Sequence, residues 1–67
     1  MIDIYSLYLK RFKEDKYKIT WPPKMKVIDR ISFIETLILY IGDSDIDSLK
    51  YLNLYLEKYR NQGLKKN

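Results

Sequence analysis

Neither cysteine nor histidine occurs in this chain of 67 residues. Without cysteine, no disulfide can brace the fold and no thiolate can serve as nucleophile or metal ligand. Without histidine, the commonest general acid–base side chain is missing, and zinc sites built from Cys and His are excluded. Alanine is absent too, and only two glycines and two prolines punctuate the chain. No apolar run approaches the ~20 residues that a membrane-spanning helix needs. The densest stretch, Ile31 to Ile41, holds eight apolar residues in eleven. Asp3 stands where a secretory leader carries its basic charges, and no small-residue cleavage site follows an apolar run, so no such leader is expected. Together with the missing cysteines, this leads to the expectation of a cytoplasmic protein.

What is present is skewed. Ten lysines stand against three arginines, with nine isoleucines and seven tyrosines. Such usage follows AT-rich codons, as in a low-GC bacterium or its phages and mobile elements. Apolar residues make up 46% of the chain, enough for one core, and the length suits a single domain over residues 1–67. A chain this short buries only roughly 60% of the surface its unfolded form exposes, so modest stability is expected.

The apolar residues recur at helical spacing in three segments, which predicts an all-α, three-helix domain with helices at about 3–16, 23–41 and 45–61. Met1, Ile2, Ile4, Tyr5, Tyr8, Leu9 and Phe12 share one face of the first, with Leu7 on the polar side. In the second, Val27, Ile31, Ile34, Ile38 and Ile41 form a stripe that Phe33, Leu37 and Tyr40 widen. Its many β-branched residues favour a strand, but its polar residues recur with a period near 3.6, so helix is preferred. Leu49, Leu52, Tyr55, Leu56 and Tyr59 form the stripe of the third. Residues 17–23, containing Pro22 and Pro23, read as an extended connection, with Pro23 suited to the first position of the second helix. Gly42 suits the helix end, Ser44 or Asp45 an N-cap, and Gly63 a stop before a basic tail.

Few constellations carry chemistry. Asp43, Asp45 and Asp47 are spaced like the start of a calcium-binding loop, but the sixth position is Ser48 rather than glycine and the twelfth is Leu54 rather than glutamate. A capping cluster explains them better, and neither metal nor cofactor is expected. Glu14 and Asp15 are adjacent on a helix and point apart. Glu35 lies alone on the polar face of the second helix, so no catalytic set is present and no enzyme is expected.

Two binding readings remain. Leu7, Ile28, Leu39, Tyr51 and Leu54 fall outside the core stripes. Tyrosine gives large contact area at low entropic cost. A protein-binding module (an adaptor, inhibitor or assembly subunit) acting through Leu39, Tyr40, Tyr51 and Leu54 is therefore the leading expectation, with another protein or a second copy as partner. The alternative is nucleic-acid binding. Between Lys10 and Arg30, eight cations outweigh Glu14, Asp15 and Asp29, whereas from Glu35 onward cations and acids balance. Lys10, Arg11, Lys13, Lys18, Lys24 and Lys26, with Tyr17 and Trp21 interleaved, resemble the mix of charge and stacking rings that binds single strands. Docking of the third helix into a major groove is disfavoured, because its acidic start would face phosphates. Contact of the basic face with anionic membrane is a third option.

Overall fold

A computed structural model describes residues 3–65, and among them the chain is all-helical: α1 is Ile4–Glu14, α2 is Val27–Ile41 and α3 is Ile46–Lys65. The expected three-helix architecture is therefore present, with boundaries that differ at several ends. Met1 and Ile2, placed on the apolar face of the first helix, lie outside the described residues.

α2 and α3 form the tightly packed pair of the fold. Gly42 reverses the chain between them with φ +57° and ψ −121°, a conformation that only glycine adopts cheaply, while its N–H donates to the Ile38 carbonyl at 3.1 Å. The Ser44 hydroxyl donates to the Ile41 carbonyl at 2.7 Å. Asp45 then caps α3: its carboxylate accepts the Ser48 N–H at 3.2 Å and the Ser48 hydroxyl at 2.9 Å. Ser48 is fully buried, and this bond satisfies its hydroxyl.

α2 begins at Val27 rather than at Pro23. Pro22 to Met25 instead form a turn closed by the Met25 N–H to the Pro22 carbonyl at 3.1 Å, with Pro23 at the second position that suits its fixed φ. A helix starting at Pro23 would place Lys24 and Lys26 in its first turn, against the positive end of the dipole. α1 stops at Glu14 because Lys16 and Tyr17 turn left-handed, and α3 runs through Gly63 to Lys65 rather than ending near Asn61. Glycine inside a helix costs only about 1 kcal/mol, and no proline follows to end it. Leu64 and Lys65, placed in the basic tail beyond the expected stop, are helical, whereas Lys66 and Asn67 lie outside the described residues.

The core consists of Phe12 from α1, Ile34, Leu37 and Ile41 from α2, and Leu52, Leu56 and Tyr59 from α3. Around it pack Tyr5, Tyr8, Leu9, Tyr17, Trp21, Val27, Ile31, Phe33, Ile38 and Tyr55. Ile4, expected on the core face, is 71% exposed. At about 100° per residue it sits roughly 90° from the middle of the Tyr5, Tyr8, Leu9 and Phe12 arc. α1 meets the hairpin largely through rings: Tyr8 lies edge-on to Phe33 at 4.9 Å, and Tyr5 lies 5.9 Å from Phe33. Its C-terminal end is held by an ion pair between Lys13 and the capping Asp45. This pair holds the Asp45 carboxyl below its ordinary value, helped by the Ser48 bonds, and raises the Lys13 ammonium above its own.

Two stability predictions follow from these contacts. The buried Tyr8 hydroxyl has no hydrogen-bond partner among the described residues, and burial pushes its pKa up to about 12. Tyr8→Phe should therefore raise unfolding free energy by about 1 kcal/mol in urea titration; a loss would show that the hydroxyl is paired. Asp45→Ala should lower stability by about 1 kcal/mol at neutral pH through the lost cap. Because the folded pKa of Asp45 is depressed, its contribution is complete above the unfolded aspartate range near pH 4 and is lost as pH falls through the lower folded value. The variant should accordingly show a shallower acid limb than the parent.

Candidate functional site

The end of α1 shapes one of several open depressions on the surface. The Asp15, Lys16 and Tyr17 N–H groups donate to the carbonyls of Arg11, Lys13 and Phe12 at 2.9, 3.1 and 2.7 Å. To close this turn Lys16 and Tyr17 adopt φ of +57° and +64°, and both carry side chains. Left-handed backbone costs such residues roughly 1–2 kcal/mol each. What offsets it is visible around Tyr17. Its ring stacks on Tyr51 with centroids 4.3 Å apart and planes 14° from parallel, and meets Phe12 edge-on at 5.4 Å. Its carbonyl accepts the Tyr55 hydroxyl at 2.9 Å. Two aromatic pairs at about 0.5–1.5 kcal/mol each, with hydrogen bonds near 1 kcal/mol each, match the strain.

The result is an open depression of about 380 Å³. Tyr17, Tyr51, Leu54 and Tyr55 line it together with Lys16, Lys18 and Lys58. Leu54 is 55% and Tyr51 38% exposed. None of the three lysines forms an ion pair among the described residues, and no carboxylate belongs to the lining.

Of the four residues expected to bind protein, the structure brings Tyr51 and Leu54 together here and places Leu39 and Tyr40 elsewhere. Tyr40 lies at the start of α1, its ring 5.7 Å from Tyr5 and its hydroxyl bonded to the Asp3 carboxylate and, at 2.6 Å, to Ser6. This bond is the main cause holding the Asp3 carboxyl below its ordinary value. Leu39 stands 83% exposed near the end of α2. Tyr40 touches the first turn of α1 and Tyr51 touches Tyr17, three residues past its end, so the helix, roughly 16 Å long, separates them.

The expected nucleic-acid residues divide differently. Lys10, Arg11, Lys18, Lys24 and Lys26 are exposed and form no ion pair among the described residues. Lys13 is paired with Asp45. Trp21 is half-buried: its indole N–H donates to the Tyr59 hydroxyl at 2.7 Å, it lies edge-on to Phe33 and Tyr59, and the Arg30 guanidinium covers its ring at 5.7 Å. Asp43, Asp45 and Asp47 do not converge as ligands; among the described residues no three acidic side chains gather into a metal-binding group. Nor is any helix among them long and apolar enough to cross a membrane.

Sequence reasoning missed Tyr17 and Lys58 as neighbours of Tyr51 and Leu54. A signal was present for Lys58, since positions 51, 54, 55 and 58 share one face of α3. None was present for Tyr17, whose place depends on the left-handed turn. Comparison with family models, curated proteins and solved structures finds no match, so the site is read from its geometry alone.

The strain is itself testable. Lys16→Gly removes the left-handed penalty at an exposed position, less the entropy glycine gains when unfolded. It should raise stability by roughly 0.5–1 kcal/mol in chemical denaturation; a decrease would show that Lys16 is not left-handed in solution.

Proposed function

We propose that this protein is a small non-enzymatic protein-binding module that works through its exposed apolar and tyrosine surface. The observation that carries the reading is the depression at Tyr51 and Leu54. There a stacked tyrosine pair and an exposed leucine sit on a strained but well-braced turn, after Phe12, Ile34, Leu37, Leu52 and their neighbours have already completed the core. Rigid rings beside an open aliphatic side chain are the composition of interface centres. Leu39, outside the lining of that depression, is a second exposed contact point.

A second reading, nucleic-acid binding, is favoured by five exposed cations, Lys10, Arg11, Lys18, Lys24 and Lys26, that form no ion pair among the described residues. It loses its main stacking ring, because Trp21 is engaged by Tyr59 and Arg30. Lys13 is likewise engaged by Asp45.

Leu54→Asp and Leu39→Asp replace exposed side chains and should change stability by no more than about 0.5 kcal/mol. The native mass of the complex recovered with the tagged protein from its own host, with and without nuclease, tests the function. A protein component that survives nuclease and is lost on Leu54→Asp is the expected result. Unchanged recovery and oligomeric state in both variants would remove the protein-binding reading. A complex dispersed by nuclease, with binding that weakens steeply as salt rises, would establish the second reading instead.

A further inference from the structure

We infer that the Tyr17–Tyr51–Leu54 depression docks an acidic segment of a partner protein, one apolar side chain of which seats against Leu54 and the tyrosine rings. This inference rests on the protein-binding reading above and specifies the chemistry of the partner. Charge carries it. Lys16, Lys18 and Lys58 come to the same depression from two directions, the α1 exit and α3, and its lining holds three cations and no anion. The acids nearest in sequence are Glu14 and Asp15, which line a neighbouring depression with Lys16 and Lys18, and Glu57 beside Lys58; none forms an ion pair with these lysines among the described residues. Elsewhere two cations do find acids within the fold, Lys13 with Asp45 and Arg60 with Glu35. The lysines of the depression therefore stand free of ion pairs among the described residues, around an apolar centre.

The shape selects the occupant. The depression is wide open, whereas a small-molecule site encloses most of its ligand. An extended or helical peptide laid across it covers Leu54 with one side chain and reaches lysines on both sides with its carboxylates. Base stacking suits it less well, because the Tyr17–Tyr51 stack at 4.3 Å already uses one face of each ring. Opposite charges at the rim steer encounter and set register, while the buried apolar contact supplies affinity.

The test is fluorescence anisotropy with three labelled probes: a short peptide of Asp and Glu with one central Leu or Phe, the same peptide with Lys in place of the acids, and an oligothymidylate. The acidic peptide should bind, and more weakly as salt rises. The double variant Lys18→Glu/Lys58→Glu should weaken it about tenfold or more, and Leu54→Asp should abolish it. Lys24→Glu, which carries a charge change of the same sign outside the depression, should leave it unaltered, and circular dichroism should confirm that all variants fold. Equal binding of the lysine peptide, no binding of the acidic one, or preference for the oligothymidylate would overturn the inference. So would a parent protein whose own self-association already occupies the depression and is lost in Leu54→Asp. If the acidic peptide fails while Leu54→Asp still removes a protein from the native complex, the partner chemistry is wrong and the protein-binding reading stands; if neither responds, both fall.

Discussion

Phe12 is where the first helix is fixed to the rest of the chain. It is the one side chain of α1 in the buried core, 2% exposed, and its ring meets Tyr17 and Tyr55 edge-on. Its carbonyl receives the Tyr17 N–H that closes the left-handed turn. α2 and α3 pack closely on each other, whereas α1 reaches them through Tyr5, Tyr8 and Phe12 and the Lys13–Asp45 pair. Full burial of a phenylalanine contributes about 1.5–3 kcal/mol. That is a large share for a domain of this size, and no other residue of α1 is buried as deeply.

The surface of the protein follows from that anchor. With Phe12 seated, the chain must leave α1 sharply, and Lys16 and Tyr17 accept positive φ to do so. The turn brings Tyr17 over Tyr51 and sets Lys16 and Lys18 around the same apolar centre as Lys58 of α3. A site assembled in this way is held by packing rather than by loop flexibility. Little ordering is then left to lose on binding, which is the usual advantage of a pre-organised surface.

Much of the architecture was legible in the residues. The helical spacing of Ile34, Leu37, Ile41, Leu52, Leu56 and Tyr59 marks the core, and all six are buried. Gly42 and Asp45 announce the hairpin and its cap. What the pattern could not convey is chain geometry that depends on several contacts at once. Pro23 fits both a first helical position and the second position of a turn; the like charges at Lys24 and Lys26 settle it, four residues later than periodicity suggests. Gly63 signals a stop only if the chain must turn there, and nothing requires it to. For the candidate site, Tyr51 and Leu54 were legible as surplus to the core stripe. Their separation from Leu39 and Tyr40 was not, because helical wheels say nothing about where along a neighbouring helix each residue falls. Trp21 read as a ring among lysines, but Tyr59, 38 residues on, and Arg30 engage it from other elements of the fold.

The central claim is that the tyrosine surface exists in the free protein, built by the Phe12 anchor and the left-handed turn. The most direct measurement is the nuclear Overhauser pattern of Tyr17 in the unbound chain. The account predicts a strong contact between its own amide and α protons, as positive φ brings these close, together with ring contacts to Phe12 and Tyr51. A weak intraresidue contact, or a Tyr17 ring with no cross-peaks to Phe12 and Tyr51, would contradict it.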